Sequence, residues 1–503
     1  MLNKINKQIL PMLETLGDAL GQYLELPSEK LLGEIAVFID AIIAPLAGEG
    51  EDAVALSEKL KVALLSPVHD TVELAYIEFC ETVAALPVQY KAVFLPYYDN
   101  TWDSLQSIYE SFAADPMFVT EIIIIPIKRN TPSGDKHVYE DYLTPQGIPN
   151  THYDQYDFET DMPDIVFYNQ PYDGVNYPKF QSQNIRPHAG LMVYVPYYLY
   201  RHRPWGAIEQ QRLTSTTQLP GHDNADVFVV QGESFLKNYA KRSRNGSKFV
   251  ALGNPKCDNI YEHMQDYPRY PEWDDKTAGK TVFLLNTHYT SVVNGTYKRF
   301  LPFLLEKIEQ NEEMALIWRP HPQSFLMFDE NNQTQESEEL NSFLDRVRSH
   351  PRMVLDRTIN SASAIMYSAA VLSQDSSIVS ESMYADKPVF LFDKNPNEAL
   401  PDGLTYDEIT KRLARIRRTD AEKLLLFSAV CYYGFESDMP EEAYHDEFFN
   451  QLPLTRFMDE IGSGIDSKKQ PRSLYREQTF ANLEGSCGRA IYNYIVSLLQ
   501  TDD

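Results

Sequence analysis

Apolar residues recur at two different periods along this chain. From the N-terminus, Ile9, Met12, Leu13, Leu16 and Leu20 fall at three- and four-residue steps, and Leu31, Leu32, Ile35, Phe38 and Ile39 repeat the pattern. Such spacing places an apolar stripe on one helix face. Gly48-Glu49-Gly50-Glu51-Asp52 reads as a turn between helices, so residues 1–88 are expected to form a helical module. From Lys91 the period changes to short unbroken apolar runs. Ala92-Val93-Phe94-Leu95 and Glu121-Ile122-Ile123-Ile124-Ile125 are the first, followed by runs at 164–168, 191–195, 227–230 and 249–252. A helix is expected between the first two, from Trp102 to Phe112. The Tyr-, Asp- and Pro-rich stretch from Asn130 to Met162 reads as a long loop, of the kind that often carries function.

A second series follows the Pro- and Tyr-rich stretch from Tyr267 to Trp273. Its strands are expected at 281–285, 314–318, 353–355, 370–372 and 388–392, with helical pieces at 306–311, 342–348, 378–385 and 406–413. Uniformly apolar strands alternating with helices predict parallel sheets covered on both faces. The expected class is therefore α/β, with two doubly wound, Rossmann-like domains behind the helical module. The expected divisions are a helical module at 1–88, a first Rossmann-like domain at 89–265, a second at 266–470 and a closing helix at 471–503. Two such domains with a cleft between them describe the glycosyltransferase-B architecture.

Length agrees, since 503 residues exceed one ordinary domain. A net charge of -27 argues against a general nucleic-acid binder and against adsorption of the whole protein to an anionic bilayer. Cys80, Cys257, Cys431 and Cys487 form no CxxC pair, so neither a zinc site nor a disulfide framework is indicated. With no apolar run long enough to span a bilayer, the expected location is cytoplasmic, with a peripheral position at the inner membrane face as the variant. The acidic polar faces of residues 1–88 suit oligomerisation or a protein partner better than lipid, since interfacial helices favour Lys and Arg.

The chemistry concentrates in two segments. ALIWRPHPQ reads as a strand that releases Arg319 and His321 at its end. VLSQDSSIVSESMYADKPVFLFD reads as another strand, followed by Asp375, Ser376 and Ser377 where a helix should begin, with Glu381 one turn on. Ligands of open α/β sheets sit beyond the carboxyl ends of the strands. A helix start there offers free N–H groups and a positive dipole end, which suits phosphate. Arg319 could clamp phosphate oxygens, His321 could assist the leaving phosphate, and Glu381 could accept ribose hydroxyls. Thr287 and His288 end the first strand of the series and could join a phosphate cradle or simply form its loop. A hydroxyl that attacks phosphorus needs a proton acceptor. Asp99, in the turn after the first strand, and Asp173, in PYDGVNY, are the candidates. Arg201-His202-Arg203 would suit an anionic acceptor or a solvated surface. No Asp-x-Asp triplet is present, so no bound metal and no resident cofactor are expected.

These segments, with AVFLPYYDNTWDSLQSIYESFAADP, DIVFYNQPYDGVNYPKF, LMVYVPYYLY, ALGNPKCDNIY and FLLNTHYTSVVNG, resemble the CDP-glycerol glycerophosphotransferase-like family over roughly residues 90–395. The resemblance implies the glycosyltransferase-B fold and a donor site mainly in the second domain. It implies transfer of glycerol phosphate or a related polyol phosphate from CDP-glycerol or CDP-ribitol. The acceptor would be a glycan, glycolipid or polyol-phosphate polymer. The chain departs from the family at Tyr194-Val195-Pro196-Tyr197-Tyr198, where many members carry Trp-His-Gly, and at Glu381, where Asp is frequent. A nucleotide-sugar glycosyltransferase of the same fold and a non-catalytic scaffold of a polymer-assembly complex are the alternatives.

Overall fold

The structure is a computed structural model. It describes residues 2–46, 51–65, 68–97, 99–125, 127–130, 137–140, 148–200, 213–293, 295–321, 324, 335–374, 376–393, 431–435 and 453–500. The amphipathic N-terminus forms four helices, α1 (Asn3–Glu25), α2 (Glu29–Ile43), α3 (Glu51–Leu64) and α4 (His69–Ala84). Their stripes meet in a core of their own, where Leu16, Ile39, Leu60 and Phe79 are fully buried. The stripes are thus largely consumed inside the module. Leu26, Val37 and Leu65 stay on its surface. The module is tied to the next domain at its start, where Leu2 bridges Gln89 and Asn3 Nδ2 donates to Asp164 Oδ1 at 2.7 Å.

The first sheet holds β1 (Tyr90–Leu95), β2 (Phe118–Ile124), β5 (Thr151–His152), β6 (Ile165–Tyr168), β7 (Leu191–Tyr194), β8 (Val227–Val229) and β9 (Phe249–Val250). They lie in the order β5-β2-β1-β6-β7-β8-β9, and every pairing is parallel. The second sheet holds β10 (Thr281–Thr287), β11 (Met314–Pro320), β12 (Met353–Leu355), β13 (Ala370–Ser373), β14 (Val389–Asp393) and β15 (Tyr432–Phe435). Its order is β12-β11-β10-β13-β14-β15, again all parallel. All four residues of β6 and of β13 are buried, as strands covered on both faces must be.

The expected long loop at 130–162 is structured in part. Between β2 and β5, β3 (Ile127–Asn130) and β4 (His137–Glu140) pair as an antiparallel hairpin, and β5 extends the large sheet. Their sequences lack apolar runs, so periodicity does not mark them. The expected helix from Trp102 begins instead as a 3₁₀ turn, Asp99–Ser104, and becomes α-helical only at α5 (Gln106–Ala113). Strand β15 has no counterpart among the expected elements. The helical piece expected at 406–413 lies outside the described residues.

Helix α6 (Lys256–Gln265) leaves the first domain and touches both. The second domain contributes α7 (Ser377–Tyr384) after β13. The last helix, α8 (Cys487–Leu499), returns to the first domain, where Ile491 and Ile495 enter the core and Tyr492 packs edge-on to Phe112 at 5.0 Å. Asp258 on α6 holds it there. Its carboxylate accepts from the backbone of Cys487 and Gly488, both at 2.8 Å, and from Ser107 Oγ at 2.6 Å. A carboxylate at a helix start satisfies orphan N–H groups and complements the dipole. Gly488 permits the approach, because a Cβ there would sit 2.4 Å from the Ser107 backbone. Among the described residues no helix is long and apolar enough to cross a membrane.

Candidate active site

Register builds the second domain's edge. Asn286 pairs with Arg319 on one side and with Ser373 on the other, so three polar residues from β10, β11 and β13 line up where the apolar runs end. The chain then turns, and Gln374 stitches the turn together: its Oε1 accepts from the His288 backbone at 2.8 Å. His321 N–H donates to the Thr287 carbonyl at 2.9 Å, which brings the His321 ring to 5.3 Å from His288 and 5.4 Å from Tyr289. Thr287 is itself fully buried, and its hydroxyl accepts from Trp318 Nε1 at 3.1 Å. It therefore braces the strand ends and does not line an open edge.

Ser376 occupies the N-cap position of α7, yet its hydroxyl makes no capping bond. It lies 3.3 Å from Ser373 Oγ and 3.5 Å from Asn286 Nδ2 instead. Ser377 is the first helical residue. His288, His321, Ser376 and Ser377 thus flank one sheet edge, joined through Asn286, Thr287 and Gln374. Asp375 and the run Arg201-His202-Arg203 lie outside the described residues.

Arg319 reaches that edge but faces β12. Its Nη1 donates to Asp356 Oδ2 at 2.7 Å and to Thr358 Oγ1 at 3.1 Å, and Nη2 to the Ile359 carbonyl at 3.2 Å. Asp356 is 1% exposed, so this is a buried ion pair, not an open clamp. Burial, with His288 and Arg319 nearby, lowers the His321 pKa to about 4. His321 is consequently a neutral imidazole at pH 7.

Glu381 is buried, accepts a hydrogen bond from Ser361, and lies 3.7 Å from Lys256 Nζ. Lys256 also grips Asp103 in the turn after β1, at 2.7 and 2.9 Å. Burial acts to lower the Lys256 pKa, but the Asp103 and Glu381 carboxylates outweigh it and keep the ammonium charged. An Asp103–Lys256–Glu381 chain therefore spans from the first domain to the second. Sequence reading assigned no role to Lys256 or Asp103. The available signal was a lysine inside the short segment GNPKCD, between a strand and a helix.

The first domain supplies the opposite edge. Asp99 opens the turn after β1, and its side chain lies outside what is described. Asp173 is 8% exposed and accepts from Ser182, at 3.0 Å from the backbone and 2.6 Å from the hydroxyl. Tyr194-Val195-Pro196-Tyr197-Tyr198 follows β7 into this edge, where Tyr197 meets Tyr97 at 5.5 Å. Tyr200, three residues beyond Tyr197, receives the Ser380 hydroxyl of α7 on its carbonyl at 3.4 Å, a second contact across the domains.

No protein-family profile and no curated protein matches the chain. Solved structures do match. A Listeria monocytogenes protein described as a UDP-N-acetylglucosamine 2-epimerase aligns over 82% of this chain and 98% of its own, at 10% identity and a TM-score of 0.51. The S. aureus MnaA–UDP co-structure aligns over 82% and 97%, at 12% identity and 0.50. The wall teichoic acid polymerase TagF aligns over 89% and 98%, at 11% identity and 0.43. Identities this low speak to fold and not to activity. The chain has the two-domain, glycosyltransferase-B-like architecture that its strand pattern led us to expect.

Proposed function

We propose that this chain is a transferase that moves glycerol phosphate, or a related polyol phosphate, from a CDP-linked donor to a hydroxyl of a glycan or of a teichoic or capsular polymer. The work would be done in the cytoplasm, with CMP released. One observation carries the reading. Helix α7 starts at the carboxyl edge of the second sheet with its N-cap hydroxyl turned from capping toward Asn286, at the edge that also carries two histidines. That start offers N–H donors, a positive dipole end and the Ser376 hydroxyl to a diphosphate.

In this reaction the acceptor oxygen bonds to the phosphorus that bears the polyol. The bond from that phosphorus to the bridging oxygen breaks, CMP leaves with the electron pair, and the hydroxyl proton passes to a base. Positioning and charge stabilisation dominate such transfers. A neutral His321 can donate one hydrogen bond to the diphosphate, whose charge would draw its pKa upward. Asp99 and Asp173 are the proton acceptors proposed from the first domain. Arg319 acts as a clamp only by exchanging Asp356 for phosphate. Otherwise it steadies the strand end. Glu381 likewise reaches a ribose only if Ser361 releases it.

Calorimetry on the full chain with CDP-glycerol, CDP-ribitol, CMP and UDP-sugars, with and without EDTA, tests the proposal. Cytidine nucleotides are expected to bind, with no dependence on added metal. Ser376→Ala should weaken CDP-glycerol by about 1.5 kcal/mol without altering thermal melting. Preference for uridine would replace this reading with sugar transfer, and absence of nucleotide binding would replace it with the scaffold.

A further inference from the structure

A local reversal of charge lies beside the cleft. The protein carries a net charge of -27, yet the segment 235–250, FLKNYAKRSRNGSKFV, has five basic residues and no acidic one. It begins in a helix, Glu233–Tyr239, and ends in a 3₁₀ turn, Gly246–Lys248, that delivers the chain to β9 at the edge of the sheet. Lys237, Lys241, Arg242 and Arg244 are exposed. The backbone stays helical past Tyr239, with the Ala240 N–H on the Leu236 carbonyl and the Ser243 N–H on the Tyr239 carbonyl. Lys237 and Lys241 therefore share one face, about 6 Å apart at Cβ. Arg244 is pinned by Asp223, whose Oδ1 accepts from its Nε at 2.8 Å, and Lys248 Nζ donates to the Asp223 carbonyl at 2.7 Å. Among the described residues Lys237 and Lys241 have no carboxylate partner.

This helix starts at the cleft. Gln231, two residues before it, accepts from the Tyr200 N–H at 2.6 Å and donates to the Tyr200 carbonyl at 3.0 Å, and that carbonyl also receives Ser380 of α7. From there the helix runs back toward the amino ends of the strands, as the crossover between parallel β8 and β9 requires. Lys241 lies about 12 Å along the axis from the helix start.

We propose that this basic track carries an anionic phosphodiester polymer, the acceptor chain behind its reacting end. The overall field of the protein repels such a polymer, and a run of cations on a rigid helix supplies local attraction. A bilayer is the other extended anionic partner. Surfaces that dock to lipid add apolar side chains to their cations, and no exposed large hydrophobic residue is found among the described side chains of 233–250. The choice of a polymer rests on the transferase reading, in which each transfer adds one phosphodiester. It narrows the acceptor to a chain that already bears phosphates and leaves the cleft past Lys237.

Calorimetry on the full chain tests it, with deacylated poly(glycerol phosphate) as the polyanion and dextran as the neutral polymer. Wild type is expected to bind the polyanion and not dextran, and more weakly as NaCl rises from about 0.05 to about 0.3 M. Lys237→Gln, Lys241→Gln and Arg242→Gln together should weaken the polyanion by about tenfold or more. The same charge removed from the helical module, by Lys7→Gln, Lys30→Gln and Lys59→Gln, should not. Melting temperature and CDP-glycerol affinity should hold in both triple variants. Failure of the wild type to bind the polyanion, or equal loss in both triple variants, would overturn the proposal. Sedimentation with phosphatidylglycerol vesicles decides the partner. If the first triple variant releases vesicles and keeps the polymer, the surface is a membrane contact and the proposal falls. Track-dependent polymer binding without nucleotide binding would keep the track and remove the transferase reading. Nucleotide binding without polymer binding would remove only the track.

Discussion

His321 and Lys256 show opposite outcomes of burying a cation. At His321 burial dominates, His288 and Arg319 add to it, and the pKa falls from 6.5 to about 4. The unfolded chain therefore binds more protons between those values, so stability is fully present above pH 6.5 and is lost as pH falls toward 4. The loss should reach about 3 kcal/mol. Comparing the urea stability of wild type and His321→Asn across that range isolates it. The difference between the two should change by that amount and in that sense. Proton-detected titration of His321 should give a midpoint near 4 without ligand and a higher one with CDP-glycerol bound. Lys256 stays charged because it meets Asp103 and Glu381. Lys256→Met strands two buried carboxylates and should cost about 3–5 kcal/mol in urea unfolding. Asp103→Leu added to it should restore part of that loss.

Among the elements, α8 is held at its start by one side chain from far along the chain. Asp258 caps its start and binds Ser107 of α5, although α6 and α8 lie 229 residues apart at the Cys487 contact. Asp258→Ala removes two helix-start bonds and one hydroxyl bond. The expected cost is about 2–3 kcal/mol, and limited proteolysis should cut ahead of α8 before any other described helix. The same element scale explains the hairpin β3–β4. Lys128, Arg129 and Asn130 are polar, and antiparallel pairing with 137–140 supplies the order that no apolar run announces.

At the scale of the whole molecule, the polar ties between the two domains among the described residues include Lys256 with Asp103 and Glu381, and Ser380 with Tyr200. The helical module has its own core and is attached to the first domain at Leu2, Asn3 and Lys4, by the amino-terminal ends of β1 and β6. A chain beginning at Gln89 should accordingly retain CDP-glycerol affinity measured by calorimetry. It should lose the Asn3–Asp164 bond and melt lower. Loss of binding in a folded protein of that length would place the module in the site.

Sequence alone determined the alternation of elements, because a parallel strand covered on both faces must be apolar at every position, as β6, β11 and β13 nearly are. It also marked His321, Ser376 and Ser377, since the ends of such runs lie at one sheet edge. Tertiary structure decided what each polar group does there. Arg319 faces Asp356 because β12 is the neighbour of β11. Glu381 meets Lys256 because α6 crosses between the domains. Gln170 stays unpaired while Asn169 is satisfied, a difference of one position that only the packing of the Asp99–Ser104 turn creates. Partners of this kind lie tens to hundreds of residues apart. Strand order and register choose them, and local pattern carries no record of either.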